Sequence, residues 1–171
     1  MKRSLHILLM LVFMLIAPVF AAGQNINRVY IEKYKCLAID LMLQTNIPAS
    51  VILGVAMVES GAGNSVLSRK FNNHFGIAGK NTNAIEKLGR HTRYKEYESD
   101  TASFRHFCDM LASKPFYQTL ADKLDYKLWV PAIRRMGYAT SAYLWEKKVK
   151  TTIVKNKLYE LDRISLDPLG K

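Results

Sequence analysis

The feature that most constrains the fold is an almost entirely apolar stretch from Pro48 to residue 60. Its apolar residues fall on every side of a helix rather than on one stripe, which is typical of a helix in the middle of a core. Pro48 suits a first helical position, since its missing N–H costs nothing there, and Gly61 and Gly63 suit the helix end. The sequence therefore predicts a domain built around a buried helix over residues 48–60.

Apolar residues at helical spacing predict further helices around this one. They cover residues 28–43, 64–73, 125–136 and 141–158, and another helix begins after Ser99. Residues 78–93 have no helical period and contain Gly79 and Gly89, so we expect a loop or small hairpin there. The predicted fold class is mainly α (α+β), with one domain over residues 28–161 and a loose tail over residues 162–171.

The first 22 residues have the pattern of a secretory signal peptide. Lys2 and Arg3 precede an apolar run over residues 7–20, and small residues follow it. A retained membrane anchor is the alternative, but this run is shorter than the ~20 apolar residues that a spanning helix needs. The sequence predicts export to the periplasm or the extracellular cell wall, with no membrane span after cleavage.

The chain is strongly basic, with a formal net charge of +11. Loss of residues 1–22 removes Lys2 and Arg3 and no acid, which leaves about +9. In an exported protein this charge favours an anionic envelope polymer over nucleic acid as the partner, although a solvated basic surface explains it equally well. We also expect a monomer.

Glu59 is the leading candidate for a catalytic residue. It stands at the C-terminal end of the apolar helix, where burial and the negative end of the helix dipole both favour a neutral carboxyl. A carboxyl that stays protonated near neutral pH is what a glycosidase needs to protonate a leaving oxygen. The alternative is a helix-end Glu in an ordinary surface ion pair.

Two further residues could complete such a site. A glycosidase usually needs a second group across the scissile bond. Glu86 lies in the irregular 78–93 segment, from which a side chain could close over a groove, or it is simply a solvated loop acid. Tyr138, at the corner after Gly137, could line a sugar site by stacking or through its hydroxyl, or could only pack.

Other chemistries find no support in the sequence. There is no P-loop, G-x-S-x-G or H-E-x-x-H motif, and the His residues have no metal-ligand spacing, so we expect neither a metal nor a cofactor. Cys36 and Cys108 could pair in an oxidising compartment, or could remain buried free thiols.

Four segments together resemble the bacterial glucosaminidases, the flagellar-type peptidoglycan hydrolases of glycoside hydrolase family 73. The segments, in chain order, are residues 47–61, Asn72-Asn73-His74-Phe75-Gly76-Ile77, Tyr94-Lys95-Glu96-Tyr97-Glu98-Ser99, and Gly137-Tyr138-Ala139-Thr140 with Tyr143. The resemblance runs from about Tyr30 to Leu161. It implies a lysozyme-like helical fold and hydrolysis of the β-1,4 bond after N-acetylglucosamine in peptidoglycan.

The resemblance also implies roles for particular residues. Glu59 takes the position of the family's general acid, and Tyr138 that of its active-site tyrosine. Glu86 is the sole acid between Ile77 and Tyr94, and is assigned to the second carboxyl. The implied substrate-binding residues are Asn73, Phe75, Gly76 and Tyr143.

Two other functions stay open at this point. A lytic transglycosylase or muramidase also uses a helix-end Glu-Ser, but usually continues into Gly-Leu-Met-Gln, where this chain has Gly61-Ala62-Gly63. The other is a non-catalytic wall-binding or assembly factor with a decayed site.

Overall fold

The computed structural model describes residues 26–139 and 141–166, with side chains as far as Arg163. The predicted signal peptide over residues 1–22 lies outside the described residues. So do Thr140 of the last motif and residues 167–171 of the expected tail. No helix within the described ranges is long and apolar enough to cross a membrane.

Helices dominate this part of the chain, which confirms the mainly α fold. Helix α1 covers residues 26–45, and the elements after it are α2 (Ala49–Ser60), α3 (Val66–Phe71), α4 (Ala84–Leu88), α5 (Asp100–Ala112), α6 (Tyr117–Leu120), α7 (Tyr126–Arg135), α8 (Ala142–Lys155) and a 3-10 helix (Leu158–Leu166). The helices predicted from apolar spacing lie within a few residues of α1, α2, α3, α7 and α8. Ser99 caps α5 as expected, since its side chain accepts a hydrogen bond from the N–H of Ala102.

Helix α2 lies at the centre of the core, as its composition predicts. Every residue from Ala49 to Met57 is buried, and α2 contacts α5, α7, α8 and the 3-10 helix. The helix ends at Gly61, whose φ of 59° is in the left-handed region that favours glycine. Contacts with these four elements therefore hold α2 in position.

Helix α8 approaches α2 closely because of a glycine. A Cβ built on Gly54 would lie 2.6 Å from Cγ1 of Ile153, so a larger residue would force the two helices apart. The helices meet again where Trp145 contacts Glu59. The second contact joins a later residue of α2 to an earlier residue of α8, so the two helices run antiparallel. Gly54 thus sets how near α8 comes to the end of α2.

The 3-10 helix continues past residue 161, the predicted end of the domain, as far as Leu166. Asp162 is buried, and its carboxyl oxygens accept hydrogen bonds from the backbone N–H of Ser50 (2.8 Å) and from the Ser50 hydroxyl (2.6 Å). Pro48 holds the N-cap position of α2 and makes no side-chain cap, so Asp162 satisfies these donors instead. Asp162, the first residue of the predicted loose tail, is therefore held in place, and this long-range cap leaves no local pattern in the sequence.

The insertion between Ile77 and Tyr94 is a small hydrogen-bonded lobe. Ala78 and Tyr94 form an isolated antiparallel bridge, and the described residues contain no longer strand. The side-chain amide of Asn81 donates to the backbone oxygens of Thr92 and Tyr94, both at 2.8 Å. The hairpin-like insertion is confirmed, with one addition. The short helix α4 lies inside it, where no helical period was visible.

The cysteines are not bonded to each other. Cys36 is exposed on α1 and Cys108 is buried on α5. The free-thiol alternative therefore holds in this structure, although the expectation that both thiols are buried is wrong for Cys36.

Candidate active site

Glu59 occupies the last turn of α2 and is half-buried. Its Oε1 accepts a hydrogen bond from Nε1 of Trp145 at 2.6 Å. Burial raises the pKa of the Glu59 carboxyl above its ordinary value, and the bond from Trp145 and the charge of Lys148 lower it by less. The C-terminal end of the helix dipole acts in the same direction as burial. The neutral form of this carboxyl is therefore favoured.

The second oxygen of Glu59 faces the main chain of Gly76. A Cβ built on Gly76 would lie 3.6 Å from Oε2 of Glu59. Gly76 has a φ of 63°, in the left-handed region that side chains rarely adopt. The glycine brings the backbone of the 72–77 turn close to the carboxyl and leaves no side chain between them.

Tyr138 fastens the 72–77 turn to the corner after α7. Its hydroxyl donates to the backbone oxygen of Phe75 at 2.7 Å, and its ring packs on that of Trp145 with centroids 5.4 Å apart. Burial, and then the nearby charge of Glu59, raise the pKa of Tyr138 well above its ordinary value, so the hydroxyl is neutral. The structure thus brings Glu59, Gly76 and Tyr138 together.

Asn73 and Phe75 support the turn, and their side chains lie inside the protein. Asn73 is 1% exposed, and its amide nitrogen donates to the backbone oxygens of Ile77 (2.9 Å) and Lys95 (2.8 Å). Phe75 is 1% exposed and stacks on Phe107 with centroids 4.2 Å apart. Both side chains are therefore closed off from solvent in this structure, and the substrate-binding role predicted for Asn73 and Phe75 stays a prediction. They hold the turn that presents Gly76, because its buried backbone groups need partners.

Glu86 and Tyr143 lie on the surface. Glu86 is in the first turn of α4 and exposed, and Tyr143 is 72% exposed near the start of α8. Among the described residues, no hydrogen bond or ion pair joins either side chain to Glu59. The structure does not bring these two residues into the group formed by Glu59, Gly76 and Tyr138.

Glu96, the next acid along the chain, is engaged within the lobe. Its Oε1 accepts from Lys87 of α4 and from Asn83. The hydrogen bond from Lys87 is the main cause that lowers the pKa of the Glu96 carboxyl, so this group is ionised at neutral pH. Glu96 therefore ties α4 to the strand-like residues after Tyr94, whereas Glu86 on the same short helix has no such bond.

Sequence reasoning missed two features of the site. The first is Trp145, which helical spacing marked only as part of an apolar face. The second is a buried network behind the turn, in which His74 is bonded through Nδ1 to the Tyr30 hydroxyl (2.8 Å) and through Nε2 to Asp100 (2.9 Å). This network ties the 72–77 turn to α1 and α5. Burial lowers the pKa of His74, which favours its neutral form.

A half-buried carboxyl whose pKa is raised, at the end of a buried helix and beside a glycine main chain, is the kind of group that glycoside hydrolases use as an acid. The chain belongs to the glucosaminidase family. It matches the family described as mannosyl-glycoprotein endo-beta-N-acetylglucosaminidase over residues 35–158, which include Glu59, Gly76 and Tyr138. This match confirms the resemblance seen in the four sequence motifs, and the mainly helical domain with a small insertion agrees with the lysozyme-like fold.

A curated relative carries the same kind of name. Exo-glucosaminidase LytG of Bacillus subtilis (strain 168) is 25% identical over an alignment of 155 residues that covers 81% of this chain and 55% of that protein. The chain therefore spans about half the length of this relative. No solved structure matches the chain.

Proposed function

We propose that this protein hydrolyses the β-1,4 bond after N-acetylglucosamine in the glycan strands of peptidoglycan, with Glu59 as the general acid. The observation that carries the proposal is the Glu59 carboxyl itself. It is half-buried at the end of α2, its pKa is raised, and Oε2 lies beside the main chain of Gly76 with no side chain between them. The name of the LytG relative and the family match support a glucosaminidase activity.

The reaction follows from the state of this carboxyl. Neutral Glu59 donates its proton to the glycosidic oxygen, so that the leaving sugar departs as an alcohol. The positive charge that develops at the anomeric carbon is then captured by a nucleophile on the other face of the ring. The oxygen of a water molecule becomes the new hydroxyl on the anomeric carbon. The proton that this water loses returns the Glu59 carboxylate to its neutral form for the next turnover.

We assign Glu86 to the second carboxyl of the reaction. Glu86, the acid inside this lobe, is exposed, whereas Glu96, which follows the lobe, is bonded to Lys87. Catalytic groups on such lobes can stand far from their working position in a free structure, so substrate binding would bring Glu86 toward the groove. The substrate's own acetamido group is the competing nucleophile.

Turnover of single variants separates these two routes. Glu86→Gln should lower kcat strongly with little change in substrate binding, as expected for an interaction made mainly in the transition state. Glu96→Gln is the matched control, because it removes a carboxyl that is already bonded to Lys87. Normal turnover in both variants would assign the reaction to Glu59 and the acetamido group.

We also propose that the protein acts outside the cytoplasm. The support is the signal-peptide pattern of residues 1–22 and the basic charge of the remaining chain, which suits an anionic envelope. The N-terminal residue of the protein recovered from an exporting cell tests this. A start near Gly23 supports cleavage and export, and retention of Met1 contradicts it.

The products of sacculus digestion test the function directly. Muropeptides released by the protein are reduced with borohydride and identified by mass spectrometry. We expect new reducing N-acetylglucosamine ends, and the chain length of the products separates internal from terminal cleavage. Anhydro-muramic ends would instead assign a lytic transglycosylase, and no release at all would favour a non-catalytic wall-binding factor.

A further inference from the structure

We infer that Trp145 is a positioning residue for the reaction: its indole N–H holds Oε1 of Glu59, so that Oε2, beside Gly76, is the oxygen that delivers the proton. This inference rests on the proposed role of Glu59 as the acid. It assigns a function to a side chain of α8 that the family motifs quoted above do not include.

The geometry fixes the donor in place. The indole nitrogen lies 2.6 Å from Oε1 of Glu59, and Trp145 is only 7% exposed. Its ring is packed against Tyr138, whose own hydroxyl is held by the backbone oxygen of Phe75. The close approach of α8 to α2 at Gly54 sets the position of the helix that carries Trp145. The indole therefore has little freedom to follow a carboxyl that rotates away.

The chemistry of the indole decides which oxygen carries the proton. An indole N–H can only donate, so the oxygen that accepts it serves as the carbonyl oxygen of the neutral acid. The acidic hydrogen of Glu59 is then on Oε2. After the proton has left, the same N–H stabilises the carboxylate, since a donor bonded to the charged form favours it.

The other groups that face Glu59 do not duplicate this role. Lys148, one turn along α8, acts on Glu59 through its charge, and the Tyr138 hydroxyl is directed to the main chain of Phe75. Among the described residues, Trp145 is the one side chain that donates a hydrogen bond to Glu59. Removing its N–H should therefore leave the carboxyl free to rotate.

Two matched variants test the inference. Trp145→Phe keeps a packed ring against Tyr138 and removes the N–H. Trp129→Phe is the control, because Trp129 is also buried and its Nε1 donates to the backbone oxygen of Lys123 at 2.7 Å. We expect Trp145→Phe to lower kcat roughly 10- to 100-fold with little change in KM, the range for loss of a hydrogen bond to an ionisable group. Trp129→Phe should keep kcat per folded molecule.

The pH profile adds a readout that a purely structural role would not move. Loss of the N–H removes an interaction that favours the Glu59 carboxylate, so the alkaline limb of kcat should shift to higher pH in Trp145→Phe. The limb should not move in Trp129→Phe. A Trp145→Phe protein with wild-type kcat and an unmoved alkaline limb would overturn the inference.

An NMR titration of the wild-type protein tests the inference even if Trp145→Phe folds poorly. The chain has two tryptophans, and the Trp129→Phe variant assigns their two indole N–H signals. The Trp145 signal should move with the ionisation of Glu59 and should lose this titration in Glu59→Gln, while the Trp129 signal stays constant. A Trp145 signal that does not titrate contradicts the inference. If Glu59→Gln retains activity, the proposed function fails instead.

Discussion

Helix α2 has a carboxyl group at each end, and the two groups differ in what they contact. At the N-terminal end, both oxygens of Asp162 accept hydrogen bonds from Ser50. At the C-terminal end, Oε1 of Glu59 accepts a bond from Trp145, and Oε2 lies beside the main chain of Gly76. Burial is the main cause that raises the pKa of each carboxyl.

The difference shows how the two ends of one helix give two carboxyl groups different roles. Asp162 stabilises the helix start, whereas Glu59 is the proposed acid of the reaction. The positive end of the helix dipole and two donors favour the charged form of Asp162, whereas the negative end disfavours charge on Glu59. Asp162 has no free oxygen and serves as a cap. Among the described residues, Trp145 alone donates to the Glu59 side chain, so the desolvation of this carboxyl is not offset by a second donor.

The largest expected effect comes from Glu59→Gln. This change removes the acid and keeps the side-chain shape, so kcat on sacculi should fall by about 10²–10⁴-fold. The free energy of unfolding at neutral pH should stay the same or rise, because a poorly solvated carboxyl has been removed. Paired activity and denaturation measurements check both parts. Asp162→Asn is the control and should keep wild-type kcat.

Asp162→Ala should lower the stability of the protein and leave its turnover unchanged, the opposite of Glu59→Gln. It leaves the buried N–H and hydroxyl of Ser50 without partners, which should lower the free energy of unfolding by about 1–3 kcal/mol. Turnover per folded molecule should not change, since Asp162 is at the far end of α2 from Glu59. Urea denaturation measures the first effect. An Asp162→Ala protein that is as stable as wild type would show that the cap contributes nothing.

Asp162 also predicts how stability depends on pH. Its pKa is raised to about 6 in the folded protein, against an ordinary value of 3.8. The folded state therefore holds this proton more tightly, and the contribution is fully present below pH 3.8 and is lost as pH rises through about 6. The stability of wild type relative to Asp162→Asn should fall across this window. A flat difference between the two proteins would contradict the raised pKa.

Gly76→Ala is expected to have the smallest effect and to act on the open side of Glu59. The new methyl would lie 3.6 Å from Oε2 at a φ that disfavours it. We expect kcat to fall by about 10-fold, since small misplacements at a reacting group are costly, together with a loss of stability of about 1 kcal/mol. Gly89→Ala is the control, because Gly89 also has positive φ but nothing lies within 4 Å of its built Cβ.

The sequence predicts those parts of the molecule whose structure depends on residues close together in the chain. The apolar run of α2, its breaker residues and the position of Glu59 at its end all lie within 14 residues, from Pro48 to Gly61. Asp162 caps Ser50 from 112 residues away, and no local pattern marks such a pair. The sequence therefore predicts a loose tail from residue 162, although Asp162 holds the start of the central helix.

The sequence predicts the candidate acid of the site, but it does not predict which residues support that acid. A motif shows that Asn73, Phe75 and Gly76 occur together, but not which of them face a ligand and which hold the turn. Burial separates them, because Asn73 and Phe75 are each 1% exposed. Trp145 was hidden for a related reason. Its spacing marks an apolar helix face, and only the packing of α8 on α2 shows that its N–H reaches Glu59.

The central claim is that burial at the end of α2 raises the pKa of Glu59, as the proposed general acid requires. The measurement that tests it most directly is a ¹³C NMR titration of the Glu59 side-chain carboxyl, assigned with Glu59→Gln, beside the pH dependence of kcat/KM. We expect the pKa of this carboxyl to lie above its ordinary value of 4.5, and the alkaline limb of kcat/KM to fall at the same pH. A pKa at or below 4.5, or an alkaline limb that does not coincide with it, would contradict the account.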